Sequence, residues 1–236
     1  MKVAFCGDSF FWGSDLEDCV DSKPSKNIWP DIISRKIRAR SINRSLPGIG
    51  NKQILHNLSL SLEQDNADFY FINWTWIDRL DYKCAIDDHW RTVRPGGGTH
   101  TPMFSGTNNN RNHSLIDSFY YKHLHSEYND KLESLLYIST AIDLLISNRK
   151  KFIITYMDYL LLDKTWHCDY LINILQNKIS KHLHTFDSKN FLDWSRQQGF
   201  AVSESWHPLE SAHNTAAEYW YPTVCNLLNI SQEKQL

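Results

Sequence analysis

Apolar positions along this chain switch between continuous runs and a helical spacing, and the switches mark its elements. Val3–Cys6 is a short apolar run that stops at Gly7. A bounded run of that length reads as a buried strand. Ile28–Ile37 sets Ile28, Trp29, Ile32, Ile33 and Ile37 at helical spacing. Ile42–Leu46 predicts a second strand, ending in Pro47-Gly48-Ile49-Gly50-Asn51, where two glycines imply close backbone approach or positive φ. Lys52–Leu62 returns to the helical period through Ile54, Leu55, Leu58 and Leu62, and Ala67–Trp74 is a strongly apolar third strand. The order β-α-β-α-β predicts a parallel sheet with right-handed crossovers.

From Arg79 to about His125 the rhythm breaks. Pro95-Gly96-Gly97-Gly98, Ser105-Gly106-Thr107 and Asn108-Asn109-Asn110 are turn formers, so the segment reads as irregular. Irregular insertions of this length are commonly lids or mobile loops, and 79–125 is expected to cap the active end of the sheet. Regular spacing then resumes. Glu127–Ser147 predicts a long helix, Lys151–Met157 a fourth strand, Thr165–Leu183 a mostly helical stretch and His184–Phe186 a weak further strand. Phe191–Gln198 reads as a helix, Phe200–Pro208 as a loop and Ser211–Leu228 as a closing helix. With no repeat and no linker, residues 1–236 read as one α/β domain with the insertion inside it, a length sufficient for a well-buried core.

Composition narrows the class. The net charge of −2 carries no basic bias toward nucleic acid. No apolar run reaches membrane-spanning length, and Lys2 is followed by too few apolar residues for a secretory signal. Five scattered cysteines without a C-x-x-C suggest reduced thiols, so a cytoplasmic location is expected. The eleven histidines raise the question of metal. Asp87, Asp88 and His89, or His123-x-His125, are the nearest to a ligand set, but none has a fixed spacing such as H-E-x-x-H. No metal and no cofactor are expected.

Chemistry concentrates in four loops. Three follow strands: Gly7-Asp8-Ser9, Pro47-Gly48-Ile49-Gly50-Asn51 and Asn73-Trp74-Thr75. The fourth, Glu204-Ser205-Trp206-His207, precedes the last helix. Carboxyl strand ends of parallel sheets converge at one edge, where ligands bind. Acyl transfer needs a hydroxyl, an imidazole base, an orienting acid and oxyanion donors, and these loops hold all four. Ser9 can equally be an ordinary helix cap, His207 a loop histidine and Glu204 a solvated acid.

Gly7-Asp8-Ser9-Phe10, Gly48 after the second strand and Glu204-x-x-His207-Pro208 together resemble the blocks of the SGNH/GDSL hydrolases. The resemblance covers most of the chain apart from 79–125. It implies a three-layer α/β/α, flavodoxin-like fold with a parallel sheet of about five strands. It implies Ser9 as nucleophile, His207 as base and Glu204 as orienting acid, with oxyanion donors from the Ser9 and Gly48 amides and one side chain. Two departures stand out. The family's third block, Gly-x-Asn-Asp, is replaced by Asn73-Trp74-Thr75, so Thr75 and Asn73 compete for the side-chain donor. The acid is Glu204 where the family usually has Asp.

The function so implied is an esterase acting on a small-molecule or carbohydrate ester, with no nucleic-acid or membrane partner. The alternative, motivated by the altered third block, is an SGNH-fold ligand-binding protein with little or no turnover.

Overall fold

The structure, a computed structural model, describes residues 1–20, 23–95 and 110–230. Its elements run β1 (Lys2–Cys6), α1 (Ser9–Trp12), α2 (Trp29–Lys36), β2 (Arg40–Asn43), α3 (Asn51–Leu60) and β3 (Phe69–Trp74). They continue with β4 (Leu80–Lys83), β5 (Trp90–Val93), α4 (Asn110–His123), α5 (Glu127–Ser147) and β6 (Lys151–Tyr156). The chain closes through α6 (Tyr170–Ile179), α7 (Phe191–Gln197) and α8 (Glu210–Leu228).

Alternation within the apolar strands decides which helices pack where. Val3, Phe5, Phe69, Phe71 and Ile153 face one side of the sheet and bury against α1, α2, α7 and α8. Ala4, Cys6, Tyr70, Ile72 and Ile154 face the other and bury against α3, α5 and α6. Strands covered on both faces need the near-continuous apolar runs seen in β1 and β3. Three layers follow, α/β/α. Trp29 anchors the first core, with its ring edge-on to Phe71 at 5.0 Å and to Phe11 at 5.4 Å. Burial of each such side chain stabilises the fold by roughly 1.5–3 kcal/mol.

The sheet order is β2-β1-β3-β6 and every pairing is parallel. From β1 the chain moves outward to β2, then crosses back to β3 and on to β6. The order therefore reverses between β1 and β3, and a crevice opens at the carboxyl ends of these two strands. The fifth strand expected near His184–Phe186 is reduced to single bridges. Leu183 pairs with Ile154 in parallel, and Phe186 pairs with Lys189 across a tight turn. The turn leaves Asp187 and Ser188 with positive φ, which stops the pairing from extending.

The segment after β3 departs from expectation. Leu80–Lys83 and Trp90–Val93 form an antiparallel hairpin, with Leu80 opposite Val93 and Lys83 opposite Trp90. Its Cys84 amide donates to the His89 carbonyl at 2.8 Å, closing the turn. Buried Asp81 fixes the hairpin to the body. It accepts from the amides of Gly50 at 2.9 Å and Gln53 at 2.8 Å, at the start of α3. Thr92 Oγ1 donates to the same carboxylate at 2.6 Å. The stretch 96–109, the centre of the expected cap, lies outside the described residues.

Three of the residues weighed for metal are in ion pairs. Arg91 pairs with Asp87, Lys83 with Asp88, and His125 with Asp130. Among the described residues no helix is long and apolar enough to cross a membrane.

Candidate active site

β1 ends at Gly7, whose surroundings would crowd a side chain. A Cβ there would lie 3.1 Å from that of Phe11 and 3.2 Å from that of Asn73. The next residue, Asp8, caps α1 by accepting from the Phe10 amide at 3.1 Å. Ser9 is the first residue of α1, and Gly13 ends it in the left-handed region at φ 79°. The Gly13 and Ser14 amides both donate to the Ser9 carbonyl, at 2.9 and 3.1 Å. This single turn folds the following residues back toward Ser9. Asp15 follows at φ 70°, a conformation Asp tolerates better than most residues.

His207 arrives from the other end of the chain. Its loop is cinched by a bridge between Val202 and Pro208, by a 2.9 Å bond from the Ser203 amide to the His207 carbonyl and by a 3.1 Å bond from the His207 amide to Ser203 Oγ. The ring lies edge-on to Phe10 at 5.1 Å. Nε2 of His207 is 2.9 Å from Ser9 Oγ, and Nδ1 is 2.7 Å from Asp15 Oδ2. Both are hydrogen-bond distances, and the one to Ser9 Oγ suits proton transfer.

The acid facing Nδ1 is thus Asp15, and the position expected for Glu204 is taken. Glu204 sits exposed in the turn closed by the Trp206 amide donating to the Ser203 carbonyl at 3.0 Å. The turn projects it into solvent while its neighbours bind Asp15. Ser203 Oγ donates to Asp15 Oδ2 at 2.7 Å, and Ser205 Oγ donates to the same oxygen. Burial would push the Asp15 carboxyl up, but hydrogen bonds from Ser205, Ser203 and His207 outweigh it and hold it at about 2. Asp15 is therefore ionised near neutral pH and accepts only, so the proton on His207 belongs on Nδ1 and Nε2 is left as acceptor for the Ser9 hydroxyl.

Gly48 lies across the cleft from α1 with φ 76°, a left-handed conformation that favours glycine. Its loop is fastened by the Leu46 amide donating to the Gly7 carbonyl at 3.1 Å and by Arg79 Nη1 donating to the Ile49 carbonyl at 2.9 Å. The two rival donors at the end of β3 behave differently from expectation. Thr75 Oγ1 donates to Asp8 Oδ2 at 2.7 Å, and Asn73 Nδ2 donates to Asp8 Oδ1 at 3.3 Å. Both are buried, and neither lines the cleft. Their task here is to satisfy Asp8, a fully buried carboxylate that also has Arg79 Nη1 at 3.8 Å. A buried charge without such partners costs several kcal/mol, so this demand takes precedence over a solvent-facing role. Asn51 accepts from the Thr75 amide at 2.9 Å and so ties the second loop to the third.

Ser9, Gly48 and His207 share a cleft of about 550 Å³. Its walls include Phe10, Trp76, Leu192 and Trp206, with Asp78, Arg79 and Arg94 at one side. Trp206 packs under the Arg196 guanidinium at 4.1 Å, and Trp76 under that of Arg79 at 4.9 Å. His213 does not reach the cleft. It is buried, and its Nδ1 accepts from the Trp29 amide at 3.1 Å. Asp15 is the site residue that the sequence did not single out; its only signal is a position just past a helix-ending glycine.

No protein-family model matches the chain, and no curated protein matches it by sequence. Solved structures match by shape. A psychrotrophic esterase, EstA from Pseudoalteromonas sp., is 12% identical, covers 97% of this chain and 98% of its own, and gives a TM-score of 0.54. TesA is 12% identical, with 96% and 99% covered and a TM-score of 0.53. LAE5, an α/β hydrolase enzyme from the metagenome of Lake Arreo, Spain, is 10% identical, with 95% of each chain covered and a TM-score of 0.51. At these identities the likeness concerns the fold, which is that of the SGNH hydrolases.

Proposed function

We propose that the chain is a serine esterase in which Ser9 is the nucleophile, His207 the general base and Asp15 the orienting acid. The observation that carries this reading is the unbroken line from Ser9 Oγ to His207 Nε2, 2.9 Å, and from His207 Nδ1 to Asp15 Oδ2, 2.7 Å. Asp15 takes the role that the sequence suggested for Glu204. An ester is the substrate class because EstA, which shares the fold, is an esterase, and because the cleft suits a small acyl or sugar ester.

The chemistry follows from the geometry. Ser9 Oγ attacks the carbonyl carbon while its proton moves to His207 Nε2. Asp15 holds the Nδ1 proton and stabilises the imidazolium that forms. The carbonyl oxygen becomes an oxyanion, bound by the backbone N–H groups of Ser9 and Gly48. Collapse of the intermediate expels the alcohol, which takes the proton from His207. Water then repeats the sequence on the acyl-enzyme and releases the acid. Neither Thr75 nor Asn73 is assigned an oxyanion role, since each already donates to Asp8. Each acts as a positioning residue for the turn that carries Ser9.

The purified protein is expected to release 4-nitrophenol from acetyl or butyryl esters and to react with a fluorophosphonate at Ser9. Ser9→Ala should lose both, with kcat/KM down by roughly a thousandfold or more. The missing third oxyanion donor favours one other reading, a protein that binds esters without turning them over. Absence of fluorophosphonate labelling together with saturable ester binding would establish that reading in place of the first.

A further inference from the structure

Two arginines, Arg79 and Arg94, stand in the same cleft as Ser9 and His207. The scheme above uses neither guanidinium. Cations beside a serine nucleophile need a reason, because two like charges at one wall repel and lose hydration.

Their partners differ. Arg79 is anchored: Nη1 donates to the Ile49 carbonyl at 2.9 Å and lies 3.8 Å from buried Asp8, while its plane covers Trp76. Arg94 is not matched in this way. Its Nε is shut off from solvent and has no hydrogen-bond partner among the described residues. Burial, followed by the like charge of Arg79, pushes Arg94 below the ordinary guanidinium value, and Asp117 offsets this only in part. Asp78, the carboxylate on the same wall, is pushed up by burial and drawn down by Arg79. Among the described residues Asp78 forms no ion pair with either arginine, so the cleft carries two guanidiniums with no carboxylate bridging them.

We propose that Arg94, supported by Arg79, forms an anion-recognition subsite beside Ser9, so that the ester this chain cleaves carries a carboxylate, phosphate or sulfate group. The proposal rests on the esterase reading of the cleft and names its substrate class. A guanidinium fork supplies paired N–H donors that match the oxygens of such groups, and charge-assisted bonds of this kind are about twice as strong as neutral ones. The anion would accept from the terminal nitrogens of the Arg94 guanidinium and offset the repulsion between the two guanidiniums. Its charge would lie on either the acyl or the alcohol side of the bond, and the two are separable by choice of substrate.

The test compares matched esters on the whole chain. Mono-4-nitrophenyl succinate carries the anion on the acyl side, against 4-nitrophenyl butyrate as neutral partner. 3-Acetoxybenzoate carries it on the alcohol side, against phenyl acetate. At least one anionic ester should be favoured in kcat/KM by about tenfold or more, and the ratio should shrink as salt is added. Inorganic sulfate should compete with the favoured ester. In Arg94→Gln the ratio should fall close to one. Wild-type ratios at or below one for both pairs, with the neutral esters turned over, would overturn the proposal and leave the esterase reading intact. Absence of turnover on all four esters would instead count against the esterase reading. Sulfate titration followed by tryptophan fluorescence then decides the subsite: quenching lost in Arg94→Gln supports it, and no response in the wild type sinks it. Should Arg94→Gln fail to fold, the wild-type ratios and their salt series decide alone.

Discussion

At the scale of residues, the informative point is the acid. Asp15 lies six positions after Ser9, whereas the acid legible in the sequence, Glu204, lies three before His207. Asp15 is one acid among Asp15, Glu17, Asp18 and Asp21 in a stretch without a regular apolar period. Its selection depends on backbone angles at Gly13 and at Asp15 itself, and spacing does not encode those. Ser9 and His207 were legible because each stands in a short block with a residue of special backbone character, Gly7 two positions before Ser9 and Pro208 directly after His207. Two substitutions separate the acids. Asp15→Asn removes the charge that fixes the Nδ1 proton and is expected to lower kcat by roughly 10³–10⁴-fold, the scale found when a triad aspartate becomes asparagine. Glu204→Gln should change kcat less than about twofold, since an exposed surface charge is weakly coupled to the site. Equal losses in both variants, measured on a 4-nitrophenyl ester, would refute the assignment of Asp15.

At the scale of elements, strands and long helices were readable and the hairpin was not. The runs in β1, β3 and β6 are buried on both faces, so their apolar signal is strong. β4 and β5 are four residues each and bury polar residues such as Asp81, Arg91 and Thr92, too short and too polar for an apolar period to emerge against the turn residues around them. What orders them is Asp81, whose carboxylate binds the start of α3 on one side and Thr92 on the other. The hairpin is thereby joined to the loop that carries Gly48. Asp81→Ala would leave those buried donors unpaired, at roughly 1–3 kcal/mol for each that cannot reach water. The expected result is a lower urea midpoint and a reduced kcat/KM, because the Gly48 loop loses its outer support. An Asp81→Ala protein as stable and as active as the wild type would show that the hairpin does not hold this loop.

At the scale of the whole molecule, the sheet explains why residues from opposite ends of the chain meet. Reversal of strand order between β1 and β3 opens the crevice, and α8 returns along the same face as α2, which delivers the loop before it to α1. The β-α alternation made this convergence predictable in outline, while distances within it depend on packing. His213, at the start of α8 and beneath α2, links that packing to pH. Burial pushes its imidazole down to about 3 from an ordinary value near 6.5. Between those values the unfolded chain binds a proton that the folded chain refuses, so stability rises with pH there and is lost as pH falls below about 6.5. The slope contributed approaches about 1.4 kcal/mol per pH unit. In His213→Asn, whose amide oxygen can still accept from the Trp29 amide, the urea midpoint should vary less between pH 4 and 6.5. An unchanged pH profile in that variant would remove His213 as its source.

The nearness of Asp15 to Ser9 along the chain has a consequence for how such a site is inherited. Nucleophile and acid travel together in one peptide of seven residues, Ser9 to Asp15, and only the histidine must be supplied from elsewhere. With Asp15 in that place, the residue three before the histidine, Glu204, is left exposed and away from the imidazole. A pattern that demands Asp-x-x-His passes over a chain built this way. One written as Gly-Asp-Ser, five residues, Asp, with a distant His-Pro, would find it.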